Sequence, residues 1–233
     1  MKMRTHRPTS LAALVLTASL GVTAAWPGAA DAAPADKGHR PAVCSFTPTP
    51  DRPAARPVRI PHEKQKSHGT VDVSIITNYG PMTFRLERDT APCAVGNLVH
   101  LARSHFYALS QCFRLTNSAR LGVLQCGDLI RQEEGGPGYQ FPDEVDGTET
   151  YPRGTIAMGN QGPGTNGSEF FIVHSFANIP PNYTVMGRQI SGFAAMDAIV
   201  AAGIDDPDQD GPPKRPVWIL DVIVGRQGHS ASR

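Results

Sequence analysis

The stretch that decides the fold runs from Gly154 to Val173 and reads GTIAMGNQGPGTNGSEFFIV. It sets an Asn, a Gly-Pro-Gly bend and a Phe-Phe pair between two short apolar runs. Gly162, Gly164 and Gly167 also match G-x-G-x-x-G, the pattern of a dinucleotide-binding turn. Such a turn leads into a helix whose N-terminal N–H groups bind phosphate, but an aromatic and β-branched run follows here. We therefore interpret the stretch as strand and loop, and exclude a nucleotide site.

The first 32 residues have the three-part pattern of a secretory signal peptide. Residues 2–7 carry three Lys or Arg side chains, residues 11–25 are apolar, and Ala30-Asp31-Ala32 is a small-residue exit. The apolar part is shorter than the roughly 20 residues that span a bilayer. We predict that residues 1–32 are removed and that the mature protein is exported, either secreted or associated with the cell envelope, without stable membrane insertion.

Composition divides the rest of the chain into an arm, one domain and a tail. Residues 33–69 are rich in Pro, Ala, Lys and Arg and lack hydrophobic periodicity, which predicts an arm or linker. Residues 70–226 have the length of one ordinary domain, and residues 227–233 form a short tail.

The charge balance of the chain is not that of a nucleic-acid-binding protein. The predicted signal peptide holds three of the 22 Lys and Arg residues and one of the 21 Asp and Glu residues, so the mature chain has a net charge near −1. A nucleic-acid-binding domain normally has a basic patch or a basic composition. We therefore expect no nucleic-acid partner, and we expect a monomer.

Two alternating runs open the domain. Apolar residues occupy every second position from Val71 to Ile75 and from Met82 to Leu86, and Asn78-Tyr79-Gly80-Pro81 lies between the runs. This pattern predicts an antiparallel hairpin with one buried face.

Apolar residues spaced by three or four positions predict two helices. The first is expected to begin after Asp89 or Thr90 as its cap, with Pro92 in its first turn. The second is expected over Phe193 to Ala202, with Gly203 as its C-terminal stop.

Six further runs look like short strands, near Cys112 to Thr116, Leu121 to Cys126, Gly154 to Met158, Glu169 to Val173, Tyr183 to Gln189 and Val217 to Val224. With the hairpin they make about eight strands. Eight antiparallel strands can close into a barrel whose interior is filled by its own side chains. The predicted fold class is therefore all-β dominated, a closed eight-stranded antiparallel barrel capped by two α-helices, and a ligand would bind on its outer wall.

Seven motifs occur in order over this domain: FRL (113–115), QCGD (125–128), GGPGY (135–139), FPDE (141–144), MGN (158–160), GPGTNGSEFF (162–171) and PNYTVMG (181–187). Together they resemble the cyclophilin-type peptidyl-prolyl cis/trans isomerases. The likeness extends from residue 71 to about residue 225. It implies the same capped barrel, with a proline pocket on its outer surface.

The resemblance also implies roles for matching residues. Arg114 would be the catalytic arginine, Phe171 the floor of the proline pocket, and Gln125 and Asn160 hydrogen-bonding partners of the substrate backbone. Glu169 would lie behind the arginine. Further residues of the substrate-binding surface would be Val123, Gly159, Gln161, Ile179 and Tyr183.

The implied activity is peptidyl-prolyl cis/trans isomerisation, which would accelerate the folding of exported proteins through their Pro-containing segments. Rotation of an amide loses delocalisation of the nitrogen lone pair, so a donor that meets this lone pair only in the twisted state stabilises the transition state. This chemistry needs no cofactor or metal. The alternative is a non-catalytic module on the same barrel that binds proline peptides or acts as a chaperone.

Several positions depart from the family's pattern. Phe113 stands where His is usual, and Glu169 replaces a Gln thought to orient the arginine. Glu169 could hold Arg114 more tightly, or draw it away from substrate. Other departures affect the rim, where aromatic residues are replaced by Leu121 or Gly122, Asn178 and Met186. We expect weaker proline binding, a lower or more selective activity, and weak binding of cyclosporin-type drugs.

Four cysteines remain after export, and an even number predicts two disulfides with three possible pairings. If Arg114 and Gln125 share the outer face, Cys112 faces outward and Cys126 inward, and Phe113 faces inward. In regular neighbouring strands these two cysteines could not bond without a bulge. We therefore expect bridges that pair each of them with Cys44 or Cys93.

Three acidic residues imitate the start of a calcium loop. Asp206, Asp208 and Asp210 precede Gly211, but Val217 stands at the twelfth position, where a Glu ligand is needed. We interpret the segment as an acidic turn.

Overall fold

The computed structural model describes residues 40–131 and 134–225, so the predicted signal peptide and tail lie outside the described residues. Within these ranges there are two helices, α1 (Pro92–Arg103) and α2 (Phe193–Ala202). The strands in chain order are β1 (Ala42–Val43), β2 (Thr47–Pro48), β3 (Lys64–Gln65), β4 (Thr70–Thr77), β5 (Gly80–Glu87), β6 (Ser110–Cys112), β7 (Arg114–Thr116), β8 (Leu121–Cys126), β9 (Tyr139–Gln140), β10 (Tyr151–Pro152), β11 (Thr155–Met158), β12 (Phe170–Ala177), β13 (Val185–Ser191), β14 (Asp210–Gly211) and β15 (Val217–Val224).

The described strands form one large sheet and two small ones. Ten strands of the large sheet follow the order β14-β7-β8-β12-β11-β13-β5-β4-β15-β6, and β10 pairs with β12 beside this path. All of these pairs are antiparallel. Register shifts occur in β11, β12, β13 and β15, and such irregularities bend and twist a sheet.

The closed eight-stranded barrel predicted from the sequence is not confirmed. The sheet is a curled half-barrel with two free ends in its hydrogen-bonding order, and it has ten strands along its path. The long run predicted over residues 112–116 is divided, since β6 pairs with β15 and β7 pairs with β8. The break lies at Phe113, which belongs to neither strand. The all-β character and the two helices are as predicted.

The predicted hairpin is present as β4 and β5, which pair along their full length from Thr70 opposite Glu87 to Thr77 opposite Gly80. Its alternation fills the interior, because every second side chain is buried. These side chains are Val71, Val73, Ile75, Met82, Phe84 and Leu86. They join α1 and the inner residues of the other strands in one hydrophobic core.

Helix α1 has Pro92 in its first turn, as predicted, but not its predicted cap. Ala91 precedes the helix without a side-chain hydrogen bond. A distant carboxylate takes that role, since Glu144 accepts from the backbone N–H groups of Cys93 and Ala94, both at 2.9 Å. A negative charge at this end also interacts favourably with the helix dipole. Asp89 instead accepts from the N–H of Gly69 at 3.1 Å.

Both disulfides join residues that were expected to bond otherwise. Cys112 bonds Cys126, and Cys44 bonds Cys93, so the predicted pairing is wrong. Arg114 pairs with Gln125, and the N–H of Phe113 also donates to Gln125 O at 3.1 Å. Two residues thus lie opposite one, which is the arrangement of a β-bulge. The extra residue turns Cys112 inward, where it is 4% exposed.

The same bulge corrects the expectation for Phe113. Its side chain is half-buried and lies outside the main core. Leu115, Leu124 and Cys126 face inward as expected.

The described part of the arm, residues 40–69, contacts the domain throughout. Strand β2 pairs with β9, and β1 pairs with β3 beside α1, to which Cys44 is bonded. Phe46 makes edge contacts with the rings of Tyr139 and Phe141 at 5.7 and 5.4 Å. Arg56 donates to the carbonyl of Phe106 at 2.8 Å.

Substitution Glu144→Ala tests the cap of α1. It leaves two N–H groups at the helix start without their acceptor, so we expect the free energy of unfolding to fall by about 1–2 kcal/mol. Urea denaturation of the two proteins measures this loss. Glu63→Ala is the matched control because the Glu63 side chain is exposed. Equal stabilities of the two variants would show that Glu144 does not cap the helix.

Candidate active site

Strand alternation creates a second, smaller apolar cluster on the outer wall of the sheet. In β12, Phe170 and Ile172 belong to the main core, whereas Phe171 and Val173 belong to the outer cluster. Val123 joins them from the paired strand β8, where it lies opposite Val173. A two-residue period makes this division unavoidable once one face is buried.

Val123 and Phe171 of the outer cluster form the floor of a cavity of about 220 Å³. Nine of the ten residues that the resemblance assigned to the site line it: Arg114, Val123, Gln125, Gly159, Asn160, Glu169, Phe171, Ile179 and Tyr183. Leu121 completes the lining. The floor is apolar, and Phe171 within it is 4% exposed.

The tenth predicted residue, Gln161, lines an adjoining cavity of about 350 Å³. The arm forms one wall of that cavity, with Arg52 donating to Gln161 Oε1 at 2.9 Å and to Gln140 Oε1 at 3.2 Å. Gly159, Asn160 and Glu169 line both cavities, so the two are contiguous.

The guanidinium of Arg114 is held from two sides. Its Nε and Nη2 donate to the two carboxylate oxygens of Asp210 at 2.6 and 2.7 Å, and its Nη1 donates to Gln125 Oε1. These hydrogen bonds to Asp210 raise the pKa of Arg114, against the opposing effect of burial. The same contact lowers the pKa of Asp210. Both groups therefore stay charged at neutral pH.

Glu169 supports this arrangement through Gln125. The amide Nε2 of Gln125 donates to Glu169 Oε1 at 2.8 Å, which leaves its Oε1 to accept from Arg114. The carboxylate thereby fixes which end of the Gln125 amide faces the arginine. Both side chains are largely buried, at 9% and 6% exposed.

Asn160 lines the cavity, and its side chain is hydrogen-bonded to neighbouring residues. The amide Nδ2 donates to Asp143 Oδ1 at 3.1 Å, and Oδ1 accepts from the N–H of Gly162 at 3.2 Å. Within residues 40–131 and 134–225, the N–H and C=O of Asn160 have no hydrogen-bonding partner. They can pair with the backbone of an extended peptide.

Two residues that support the site, Asp210 and Tyr151, were missed from the sequence. Asp210 reaches Arg114 because β14 pairs with β7, placing Asp210 opposite Thr116; the sequence showed only an acidic turn. Tyr151 packs on Phe171 with ring centroids 6.0 Å apart, and its hydroxyl accepts from the N–H of Tyr183 at 3.0 Å. No local pattern marks these contacts, because each joins segments far apart in the chain.

Leu121 and Gly122 were the two candidates for one rim position, and Leu121 occupies it. Leu121 lines the cavity, whereas Gly122 packs against the next strand, where an added Cβ would lie 1.9 Å from Ser175 Oγ. An aliphatic side chain therefore stands at this part of the rim.

The site offers a fixed cation beside an apolar floor, with free peptide donor and acceptor groups. Among the described residues, no group of three or more His, Cys, Asp or Glu side chains is placed to hold a metal ion. The described segments also contain no helix with the length and hydropathy needed to cross a membrane.

Comparison with known proteins agrees with this geometry. The family model described as cyclophilin type peptidyl-prolyl cis-trans isomerase/CLD matches residues 71–224. The chain is 39% identical over 198 residues to the probable peptidyl-prolyl cis-trans isomerase B of Mycobacterium tuberculosis, covering 78% of this chain. It is 40% identical over 191 residues to the protein of that name from Mycobacterium leprae, covering 76% of this chain. The chain spans 64% of the length of both relatives.

A similar fold has been solved. The crystal structure of a cyclophilin type peptidyl-prolyl cis-trans isomerase from Cryptosporidium parvum superposes with a TM-score of 0.58 at 28% identity. The match covers 68% of this chain and 99% of the other.

Hydrogen exchange at Arg114 Nε tests the clamp formed by Asp210. In Asp210→Asn the charge-assisted bond is lost, so we expect exchange of this N–H to accelerate by about tenfold or more. Asp208→Asn is the matched control, since Asp208 is an exposed acidic residue of the same turn. Nitrogen-detected NMR of the arginine side chains measures both rates, and equal rates in the two variants would refute the clamp.

The pH dependence of this exchange follows from the lowered pKa of Asp210. A carboxylate with a lowered pKa contributes stability above its unfolded-state pKa and loses it as pH falls through the folded value. The protection of Arg114 Nε should therefore persist below the ordinary Asp value of about 3.9 and disappear at lower pH.

Proposed function

This chain belongs to the cyclophilin-type peptidyl-prolyl cis-trans isomerase family, and we propose that it catalyses cis/trans isomerisation of X-Pro bonds in peptide segments. The observation that carries the proposal is the single cavity that sets the Arg114 guanidinium beside the apolar floor of Phe171. A proline ring fits such a floor, and its nitrogen then lies within reach of a donor.

The proposed mechanism uses electrostatics and position only. The barrier to rotation, ~18–20 kcal/mol, arises from delocalisation of the nitrogen lone pair into the carbonyl. As the bond twists, the lone pair localises on nitrogen and becomes an acceptor for an N–H of Arg114. This interaction is weak in the planar ground state, so it lowers the barrier selectively. The guanidinium serves well because it stays protonated and offers several donors in one plane.

The rest of the site would hold the substrate in the reactive geometry. Phe171, Val123 and Ile179 exclude water from the proline ring, which strengthens the field of the arginine. The free backbone groups of Asn160 would bind the peptide in an extended conformation. Gln125 and Asp210 would keep the guanidinium in one orientation, so little reorganisation is needed during the reaction.

The rate of isomerisation of a short peptide with one X-Pro bond tests the proposal. Two-dimensional NMR exchange spectroscopy measures this rate without an auxiliary protease. We expect acceleration by the wild-type protein and a fall in kcat/KM of about a hundredfold in Arg114→Ala, which corresponds to ~2.7 kcal/mol. Arg114→Lys should recover little, because an ammonium lacks the planar fork.

Arg85→Ala is the matched control, since Arg85 pairs with Asp72 on the hairpin and lies outside the cavity. It should retain wild-type activity. The proposal fails if wild-type protein gives no acceleration, or if Arg114→Ala and Arg85→Ala accelerate the reaction equally.

A non-catalytic proline-binding module is the second candidate. The bidentate contact with Asp210 favours it, since that carboxylate occupies two N–H positions of Arg114 and offsets its positive charge. In that case the peptide's resonances would shift on binding without faster exchange. Phe171→Leu would abolish these shifts, because it removes the aromatic floor.

We further propose that the protein acts outside the cytoplasm, on Pro-containing segments of exported proteins. The signal-peptide pattern of residues 1–32 supports this, and so does the bonding of all four cysteines, since disulfides persist in oxidising compartments. The Cryptosporidium relative has been crystallised in the presence of the dipeptide Ala-Pro. A proline dipeptide is the simplest fragment of the substrate class proposed here.

Intact-mass analysis of the protein after expression with its own N-terminus tests export. We expect material in the extracytoplasmic fraction whose chain begins at Ala33 and which contains no thiol that reacts before reduction. Protein found only in the cytoplasm, at full length and with reactive thiols, would contradict the proposal.

A further inference from the structure

A third cavity, of about 290 Å³, lies between the arm and α1 and is lined by cations. Four of its side chains are formally positive: Lys64, Lys66, Arg88 and Arg103. His62 and His100 also line it, and no Asp or Glu of residues 40–131 and 134–225 does. It shares no residue with the proline cavity. This concentration of positive charge is unusual in a chain whose net charge is only +1.

Arg88 is the informative member of this set. It is 5% exposed, and it is the only Lys or Arg among the buried residues of the described ranges. Its Nη1 donates to the backbone carbonyl of Thr70 at 2.9 Å, but no carboxylate within the described residues lies at ion-pair distance from it. Burial and the nearby charge of Arg103 both lower the pKa of Arg88. Burying a charge without a countercharge is costly.

The helix dipole accounts for only part of the cluster. Arg103 and His100 lie in the last turn of α1, where cations are favoured by the carbonyl end of the helix. Lys64 lies in β3 and Arg88 directly follows β5, and the dipole gives no reason for them to converge there. A bound anion would compensate all of these charges together.

The arm is held firmly enough to complete such a site. Strand β3 pairs with β1, and the neighbouring Cys44 is bonded to Cys93 of α1. The side chain of Gln65 lies against α1, since a Cβ added to Gly96 would be 2.2 Å from its Oε1. The backbone of Lys64 is therefore fixed beside the cavity before any ligand arrives.

We propose that this cavity binds a phosphate group. Several cations that converge from separate elements suit a compact, multiply charged oxyanion, and guanidinium groups match phosphate oxygens through paired hydrogen bonds. A water molecule takes about 30 Å³ in the liquid, so the cavity has room for a phosphate and part of its carrier. The phosphate could be free in solution or belong to a lipid headgroup.

Titration of the disulfide-bonded mature protein with sodium phosphate, at an ionic strength kept constant with sodium chloride, tests the proposal. We expect saturable amide NMR shifts in residues 62–66 and 99–104. Lys64→Gln/Arg103→Gln should raise the dissociation constant by about tenfold or more. Lys214→Gln/Arg215→Gln is the matched control, because it removes two exposed positive charges elsewhere and should bind as wild type does.

Arg88→Gln separates binding from folding. It should abolish the phosphate shifts while leaving the thermal midpoint without phosphate close to the wild-type value. The lost hydrogen bond to the Thr70 carbonyl is offset by removal of a buried charge that has no carboxylate at ion-pair distance among the described residues. If this variant does not fold, the comparison of Lys64→Gln/Arg103→Gln with its control decides whether the site binds phosphate. The proposal is overturned if the amide shifts do not saturate with phosphate. It is also overturned if Lys214→Gln/Arg215→Gln raises the dissociation constant as much as Lys64→Gln/Arg103→Gln does.

Vesicles distinguish the two sources of phosphate. A lipid headgroup is identified if the protein sediments with phosphatidylglycerol vesicles but not with phosphatidylcholine vesicles. Inorganic phosphate should compete with this sedimentation, and Lys64→Gln/Arg103→Gln should abolish it. Saturable phosphate binding without sedimentation would identify a soluble phosphate. If the protein neither binds phosphate saturably nor sediments with the vesicles, the proposed site is refuted. None of these results depends on isomerase activity.

Discussion

Phe113 and Arg114 both lie opposite Gln125, which makes a β-bulge with one extra residue on their side of the pair. The extra residue reverses the inside–outside alternation of the strand. Before the bulge Cys112 faces inward and bonds Cys126. After it Arg114 faces the outer cavity and Leu115 enters the core. A strand without the bulge could satisfy the disulfide or the outward arginine, but not both. The bulge also divides β6 from β7, so consecutive segments pair with different neighbours.

An arginine on an outer wall is useful only if its position and charge are controlled. Asp210 and Gln125 hold Arg114 in one plane, and Glu169 holds Gln125 in turn. The carboxylate of Asp210 has two opposing consequences. It preorganises the guanidinium, which favours transition-state stabilisation, and it offsets the positive charge that would act on the proline nitrogen. The balance between these effects sets the rate that the site can reach.

Features with a local sequence period were predictable, and features that join distant segments were not. The hairpin of β4 and β5, the bounds of α2 and the division of Phe170 from Phe171 all follow from periods of two or of three to four residues. The bulge adds one residue and leaves no signal in composition, so the disulfide prediction failed with it. The cap of α1 comes from 51 residues away, and the partner of Arg114 from 96 residues away. Only the paired strands bring these groups together.

The N-terminus of α1 shows why the arm belongs to the same folding problem as the sheet. Cys93 is bonded to Cys44 of the arm, and its N–H is capped by Glu144 from the loop after β9. Closing a loop of 49 residues by a disulfide removes denatured-state entropy equivalent to roughly 4 kcal/mol at 25 °C in the chain-entropy model. That is a large fraction of the stability of an ordinary domain.

The change of composition near residue 70 marks only the start of the hydrophobic alternation. It does not mark a structural boundary, because the disulfide and the packing contacts of the arm join it to the rest of the domain. Because the arm also supplies Arg52 beside the proline cavity and Lys64 beside the basic cavity, oxidation of one cysteine pair organises walls of two cavities at once.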